Sequence, residues 1–499
     1  MFPLAALAVG CCYAQTPQKV IDEYVRAAGG AKALAQIRTE TIAANLTDES
    51  SRQTGSFSLI SKAPDRFYSE IVIEPHREVR AYNGMSAWGQ DSASGEDLAS
   101  GKDSEGARTL TGAAAKSAEA TARYWNSRLL DLKRAKIAAQ FMGIERVRGR
   151  DAYRIQMTLE AGVARQVFFD TETHLIVREI AGPTPGEEQF DYGDYRPVQG
   201  VQTPFEIGLR HEGRSYKLSV TRAEFNAPLD DSIFDFPRLQ QEPLPDLKTL
   251  FLDVTRNQNA IEALQKQYTC HVTTEEEQTD GKTQVKSRKI KEYEVFNIAG
   301  DEVRRLLAID GKPLTGDEKK KEDERFNKEF DKETRKEAEL ARDPKRQEKE
   351  EAKDEQQLSD LLRAIRFRNP RRERFRGQDV IAVDFGPNPD YKPTKLMEKI
   401  AQRVVGVVWI DAQARDIARL EAHFSDSAKV GGGIVASIDK GSNLVFEQAK
   451  VNGEVWLPVY AEVHLAGRVL FLKAKSNQID RYSDYQKFHA ESRIVATEN

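Results

Sequence analysis

The sequence predicts an α+β protein. It has two tandem antiparallel β-domains, each with helices covering one face, and a long charged helix in the second. Three observations predict it. Short runs of alternating apolar and polar residues recur between turn residues, the pattern of half-buried antiparallel strands. The 499 residues suit two domains of ordinary size. The same order of landmarks occurs in both halves. The expected boundaries are a leader over 1–14, a first domain over 17–239, a linker over 240–247 and a second domain over 248–490, with a charged helical insert at 316–363.

The chain is 39% hydrophobic and 31% charged, enough for cores under a very polar surface. The net charge is −4 with both signs abundant, which argues against a general nucleic-acid binder. Residues 1–14 form a short apolar run ending in small residues, like the back half of a secretory signal peptide, though without its basic start. Two readings of this leader stand. Cleavage after Ala14 leaves Gln15 first; alternatively Ala8-Val9-Gly10 before Cys11 loosely fits a lipidation signal, with Cys11 as the lipidated residue. Either implies export to the periplasm or cell envelope, anchored at the outer membrane if Cys11 is lipidated; the reading without export is a buried N-terminal segment. No later run reaches the ~18 apolar residues of a membrane-spanning helix. Without the leader Cys270 is the one cysteine left, so stability must come from cores rather than disulfides.

Taken in order, Thr16 to Ile37 reads as two short helices, with Val20, Ile21, Tyr24 and Val25 on one face and Gly29-Gly30 ending the first. Strand patterns follow at Ser56–Leu59 and Ser69–Ile73, then an Asn83-Gly84 hairpin turn with Trp88 just beyond it. Residues 91–107 read as an exposed loop and Ala113 to Phe141 as helix. Tyr153 to Leu159 is the cleanest alternation in the chain, with one apolar face and one wet. Strands from Val167 to Phe236 complete the first domain. The second repeats the scheme: a helix over Leu250–Tyr268 carrying Leu252, Ile261 and Leu264, strands near His271 and Tyr293, and later strands at Ile381–Phe385, Val404–Ile410, Val455–Val463 and Val469–Leu472. Between them, Asp317 to Asp354 holds 15 acids and 13 bases among 38 residues. It reads as a solvated helix with a thin apolar seam of Phe326, Phe330 and Ala338, interrupted near Pro344; charge pairing within it adds only tenths of a kcal/mol per pair.

The landmarks recur in order. Arg148-Gly149-Arg150-Asp151 precedes an alternating strand, as does Arg376-Gly377-Gln378-Asp379. Val167-Phe168-Phe169-Asp170 corresponds to Val408-Trp409-Ile410-Asp411, and Val198-Gln199-Gly200 to Val451-Asn452-Gly453, with Pro204 and Pro458 close behind. The turn glycines Gly84 and Gly311 lie 65 and 66 residues before Gly149 and Gly377. A duplication is expected.

At these landmarks the chain resembles the LolA/LolB-like periplasmic lipoprotein-carrier superfamily. The residues that carry the likeness are Gly29-Gly30, the Asn83-Gly84 hairpin, Phe169-Asp170-Thr171, Asp194 to Gly200 with Pro204-Phe205, and Phe234. The second half fits more loosely, and its charged insert departs from the pattern. The resemblance implies two tandem curved antiparallel half-barrels, each with helices over a concave apolar face that holds acyl chains.

The sequence carries no catalytic constellation that predicts an activity. The seven histidines, His76, His174, His211, His271, His423, His464 and His489, form no His-Glu-x-x-His or other metal pattern. No nucleophile elbow or phosphate loop occurs; Gly431-Gly432-Gly433 reads as a turn. Cys270 and His271 are strand neighbours and point to opposite faces. Glu187, Glu188, Asp191 and Asp194 lack calcium-loop spacing. Asp170 and Asp411 read as turn-forming residues at strand ends.

The expected ligand-contacting residues are therefore the apolar strand faces: Phe57, Leu59, Ile71, Ile73, Tyr153, Ile155, Met157, Phe205, Ile207 and Leu218, with Trp88 at the rim. No catalytic residue, metal or cofactor is expected. The function expected is an exported, non-enzymatic protein that binds a lipid, acyl chain or lipoprotein. The alternative is a structural protein with dry cores that docks an envelope protein partner through its charged helix.

Overall fold

The computed structural model describes residues 15–91, 106–182, 188–237, 243–279, 285–298, 301–343, 345, 352–353, 356, 359–430, 436–469 and 472–487. The leader with Cys11, most of the 91–107 loop, Glu187, Pro344 and Gly431-Gly432-Gly433 lie outside the described residues, as do parts of the linker and insert. The chain divides into two compact units, Met1–Pro237 and Arg238–Asn499.

Unit one begins with helices α1 (Pro17–Ala27) and α2 (Ala31–Ala35). Thr16 caps α1 by accepting the Lys19 N–H, and a proline occupies its first position. The chain then forms β1 (Thr39–Asp48), β2 (Thr54–Lys62), β3 (Arg66–Ile73), β4 (His76–Tyr82), β5 (Ala87–Asp91) and β6 (Arg108–Leu110). Helix α3 (Gly112–Ser127) leads into β7 (Ala138–Val147), β8 (Arg150–Thr158), β9 (Ala164–Asp170), β10 (Ile176–Ala181), β11 (Glu188–Val198), β12 (Val201–His211) and β13 (Arg214–Phe225). One antiparallel sheet holds all thirteen, in the order β6-β5-β4-β3-β2-β1-β13-β12-β11-β10-β9-β8-β7. The two blocks of strands meet where β1 pairs with β13, from Glu40 opposite Phe225 to Asp48 opposite Tyr216.

The helix expected over 113–141 is shorter in the structure. Arg128 and Leu129 adopt left-handed backbone angles that end it. Residues 138–147 instead satisfy their backbone groups by pairing with β8. The Asn83-Gly84 hairpin joins β4 to β5; Asn83 Oδ1 accepts the N–H of Met85 and Ser86, and Gly84 has φ +91°. At Gly29 an added Cβ would lie 2.4 Å from the Gly200 carbonyl oxygen, so a side chain there would push apart the end of α1 and the β11–β12 turn.

The main core lies on one face of this sheet. Val20 and Ile21 of α1, and Ala120, Ala122 and Tyr124 of α3, pack against Ile42, Leu46, Phe57, Leu59, Ile155, Met157, Val167, Phe169, Leu209 and Leu218. The opposite face is covered near β2–β5 by the segment around the 3-10 turn Asp231–Phe234, which brings Phe234 and Phe236 onto Ile60, Tyr68, Val79 and Trp88. Period-two alternation explains this division: Leu59 and Ile60 are neighbours and serve opposite faces.

Unit two contains α4 (Leu247–Gln265), β14 (Tyr268–Thr279), β15 (Val285–Ile298), β16 (Asp301–Ile309), β17 (Lys312–Pro313) and α5 (Gly316–Arg342). Then come β18 (Ile365–Phe375), β19 (Gln378–Pro387), a short helix Leu396–Ala401, β20 (Val404–Asp411), β21 (Ile417–Phe424), β22 (Ala428–Val430), β23 (Ala436–Ile438), β24 (Asn443–Val451), β25 (Val455–Val469) and β26 (Leu472–Lys487). The main path of its sheet is β17-β16-β15-β14-β26-β25-β24-β21-β20-β19-β18. As in unit one, the last strand pairs with the first and the later block runs outward in reverse chain order. Asp170 and Asp411 end corresponding strands and accept N–H bonds from residues two and three positions on.

The charged segment forms α5 up to Arg342. Its seam is shorter than the spacing suggests: Phe326 and Phe330 pack on Phe296 of β15, while Ala338 is exposed. On α4 Leu250 is fully buried and Leu264 packs on Tyr268, Val455 and Leu457, while Leu252 is 47% exposed.

One contact in unit one spans the sheet. His211 Nε2, at the end of β12, lies 2.7 Å from Glu78 Oε2 of β4. Arg80 of β4 reaches Glu78 at 3.0 Å, and Glu188 of β11 lies 3.8 Å from His211 Nδ1. Burial pulls the His211 pKa down, but the hydrogen bond and charge of Glu78, with Glu188 and Glu212, outweigh it and raise it above 6.5. Burial likewise opposes, and His211 and Arg80 overcome, the shift of Glu78 below 4.5.

Two predictions follow from this packing. Phe169→Ala empties a fully buried position and is expected to cost about 3–5 kcal/mol, read as a lower urea midpoint. The His211–Glu78 contact stabilises fully below the unfolded histidine pKa of about 6.5 and above the unfolded glutamate pKa of about 4.5. It weakens as pH rises through the raised histidine value. The melting-temperature advantage of wild type over His211→Gln is therefore expected to be largest near pH 5–6 and to shrink by pH 9; a constant difference across that range would refute the ion pair.

Candidate functional site

On the core face of unit one the packing leaves a cavity of about 120 Å³. Helices α1 and α3 cover it; strands β1, β2, β10, β11 and β12 form its floor. Tyr24, Tyr124 and Trp125 line it from the helices, and Ile42, Phe57, Leu59, Ile176 and Ile207 from the sheet. The rings around it meet at mixed angles: Tyr24 meets Phe169 edge-on at 5.5 Å and Tyr124 meets Trp125 edge-on at 6.3 Å, while Phe190 stacks on Tyr192 at 6.2 Å and Phe67 on Trp125 at 6.4 Å.

Charged groups are built into the same wall. Arg128 Nη1 lies 2.5 Å from Glu40 Oε2, and Arg128 Nη2 donates to Ser61 Oγ at 3.0 Å. Glu179 accepts from the Tyr124 hydroxyl and from Arg165 Nη1, each at 2.8 Å. The Arg165 guanidinium also sits over the Tyr124 ring at 4.4 Å. Burial, reinforced by the Glu179 charge and only partly offset by Arg165, raises the Tyr124 and Tyr192 phenols well above their ordinary pKa. Both remain neutral hydroxyls. Tyr195 donates to the Ile176 carbonyl at 2.6 Å. The Tyr192 hydroxyl is buried and has no hydrogen-bond partner among the described residues.

Of the residues expected to touch ligand, Phe57, Leu59 and Ile207 line the cavity. Ile73, Ile155, Met157 and Leu218 share that face but are packed solid. Ile71, Tyr153 and Phe205 pack at its margin, half-buried. Trp88 is a correction. It is not at a rim but buried on the opposite face, where its indole N–H donates to the Phe234 carbonyl at 2.9 Å; a buried indole N–H requires such a partner.

Alternation of apolar residues did not reveal the polar wall. Glu40 shares its strand face with Ile42, Ala44 and Leu46, and a lone charge among apolar partners was the available signal. Glu179 had none. Strict alternation from Ile176 places Arg178 on the cavity face, but a register shift between Ile176 and Arg178 turns Glu179 inward instead.

Unit two has a concavity of about 390 Å³ between α5 and β15–β16. Its walls are mutually paired charges: Arg304 holds Glu302 and Asp480 at 2.7 and 3.0 Å, and Arg325 holds Glu322 at 2.7 Å. It offers less to an apolar ligand than the smaller cavity does. Among the described residues no group of three or more His, Cys, Asp or Glu is placed to hold a metal ion, and no helix is long and apolar enough to cross a membrane.

No protein-family model matches the chain, and no curated protein matches it. Among solved structures it is similar to a DUF1329 family protein from Desulfovibrio piger, at 17% identity over 44% of this chain and 97% of that one, with a TM-score of 0.30. It is also similar to a domain assigned to outer membrane lipoprotein sorting from Vibrio parahaemolyticus, at 11% identity over 43% of this chain and 97% of that one, TM-score 0.28. A third similar structure is the MucA/MucB complex of Pseudomonas aeruginosa, at 9% identity over 94% of this chain and 99% of that one, TM-score 0.17. At these scores the likenesses carry no argument about what this chain does, and its functional reading rests on its own cavity.

Proposed function

We propose that the protein is an exported, non-enzymatic binding protein whose first unit takes up an apolar chain, the acyl part of a lipid or lipoprotein, in the cell envelope. The observation that carries this is the cavity under α1 and α3, lined by Phe57, Leu59, Ile207 and aromatic side chains. Its size limits what fits. An apolar cavity of roughly 150 Å³ holds one benzene ring, and whole-ligand pockets run from about 300 Å³ upward. As it stands the cavity admits a short chain or the end of a longer one. A full acyl chain requires α3 to move off the sheet.

The sheet is proposed to be a cupped half-barrel. Five strand spacings separate β4 from β12, roughly 24 Å on a flat sheet, yet Glu78 and His211 touch; bending toward the helices supports such a contact. The two units are proposed to be copies of one ancestor, supported by the shared strand order and the matching Asp170 and Asp411 turns. Export rests on the leader-like residues 1–14. The partner-docking alternative has less to draw on, because α5 already spends Phe326 and Phe330 on its own sheet and offers a partner little beyond charge.

Native mass spectrometry of the full chain, with lipid extraction of the same preparation, tests the reading. Wild type offered mixed-lipid vesicles is expected to carry an acyl-containing adduct. Leu59→Trp, which fills the cavity, is expected to lose it at least tenfold, and so is the milder Ile207→Phe, with circular dichroism confirming that each is folded. A clean apo mass for wild type in every lipid would sink the proposal.

A further inference from the structure

We infer that the ligand of the unit-one cavity is an uncharged amphiphile that sets a single carbonyl or hydroxyl oxygen against Tyr192. This rests on the apolar-chain reading above and narrows it. Tyr192 lines the cavity, is 8% exposed, and keeps a hydroxyl without a partner among the described residues. Buried hydroxyls are almost always hydrogen-bonded. Arg165 Nε is also unpartnered among the described residues, but Arg165 does not line the cavity; of the lining side chains Tyr192 is the one with a buried, unpartnered polar atom, and a ligand oxygen supplies its partner.

The charges around the hydroxyl decide what else the ligand carries. The cavity wall holds two carboxylates, Glu40 and Glu179. Each is already matched by a guanidinium, Arg128 at 2.5 Å and Arg165 at 2.8 Å. Both ion pairs are at least seven-eighths buried by side-chain exposure: 12% and 7% for the first, 3% and 4% for the second. A ligand carboxylate or phosphate would enter this wall with no cation left for it, and an unpaired buried charge is far costlier than a neutral oxygen. An ester or amide carbonyl and an alcohol share the required chemistry. Phe57, Leu59 and Ile207 then take the carbon chain.

The test uses the full chain and a neutral fluorescent probe, N-phenyl-1-naphthylamine, displaced at pH 8 by decane, 1-decanol, methyl decanoate or decanoate. Wild type is expected to bind the alcohol or the ester at least tenfold more tightly than decanoate, and which of the two wins identifies the oxygen. Tyr192→Phe is expected to weaken that ligand about 5- to 10-fold, the worth of one neutral hydrogen bond, and to leave decane unchanged. It is also expected to melt at or above wild type, since the free protein loses no bond. Decanoate binding as well as the neutral ligands, or Tyr192→Phe without effect on them, overturns the inference while decane binding keeps the apolar-chain reading alive. If none of the four displaces the probe, that reading falls and the inference with it.

Discussion

The pairing of β1 with β13 is the constraint on which unit one depends. It joins two blocks that are otherwise separate along the chain, β1–β6 before α3 and β7–β13 after it. Glu40 through Asp48 find partners more than 160 residues away in sequence. Only when that seam closes do Ile42 and Leu46 lie beside Leu218 and Val220, so that helices α1 and α3 have a continuous apolar face to cover. Loop-closure entropy must be met before those contacts reward it. The register there also settles which residues face inward, because a slip of one residue would exchange the two faces. Unit two closes in the same way, with β14 on β26.

A sheet face that had only to be covered would be apolar throughout. This one is not. Glu40, Glu179 and Arg165 sit within it and Arg128 reaches in from the end of α3, and buried ion pairs are weak evidence for stability, since hydrophobic replacements of equal volume often do as well or better. Their energetic contribution to folding does not explain them. Their geometry is more informative. They bracket the aromatic wall of the cavity, tie Tyr124 to Glu179, and leave the Tyr192 hydroxyl without a partner among the described residues. A densely packed interior closes such gaps; here a gap of about 120 Å³ persists.

The sequence made the sheets legible because alternation is a property of neighbours. Tyr153, Ile155 and Met157 fall on one face by parity, and the structure puts them there. The same rule could not separate packed positions from lining ones: Ile155 and Leu59 obey it equally, yet only Leu59 of the two lines the cavity. It failed where the backbone broke the count. The register shift in β10 substituted Glu179 for Arg178, and the left-handed residues Arg128 and Leu129 ended α3 early and aimed Arg128 back at Glu40. Trp88 was misplaced for a related reason. Parity alone does not say which of two faces an edge strand uses, and the cover for its face, Phe234 and Phe236, comes from 146 residues further on.

The comparison between units separates topology from site. In both sheets the first strand pairs with the last and the later block runs outward in reverse chain order, although the earlier block has six strands in unit one and four in unit two and β22 and β23 lie off the main path. An aspartate turns the chain after β9 and after β20. In unit two the equivalent interior is divided: Ile381, Val383 and Ile410 pack under α4 near one end of the sheet, while β14, β15 and β26 carry long charged stretches with Arg304 bridging Glu302 and Asp480. Its concavity is walled by ion pairs rather than rings. Similar strand orders thus carry an aromatic cavity in unit one and an ionic groove in unit two. Among the described residues the aromatic lining lies in unit one, so the proposed binding rests on the side chains there rather than on the strand order.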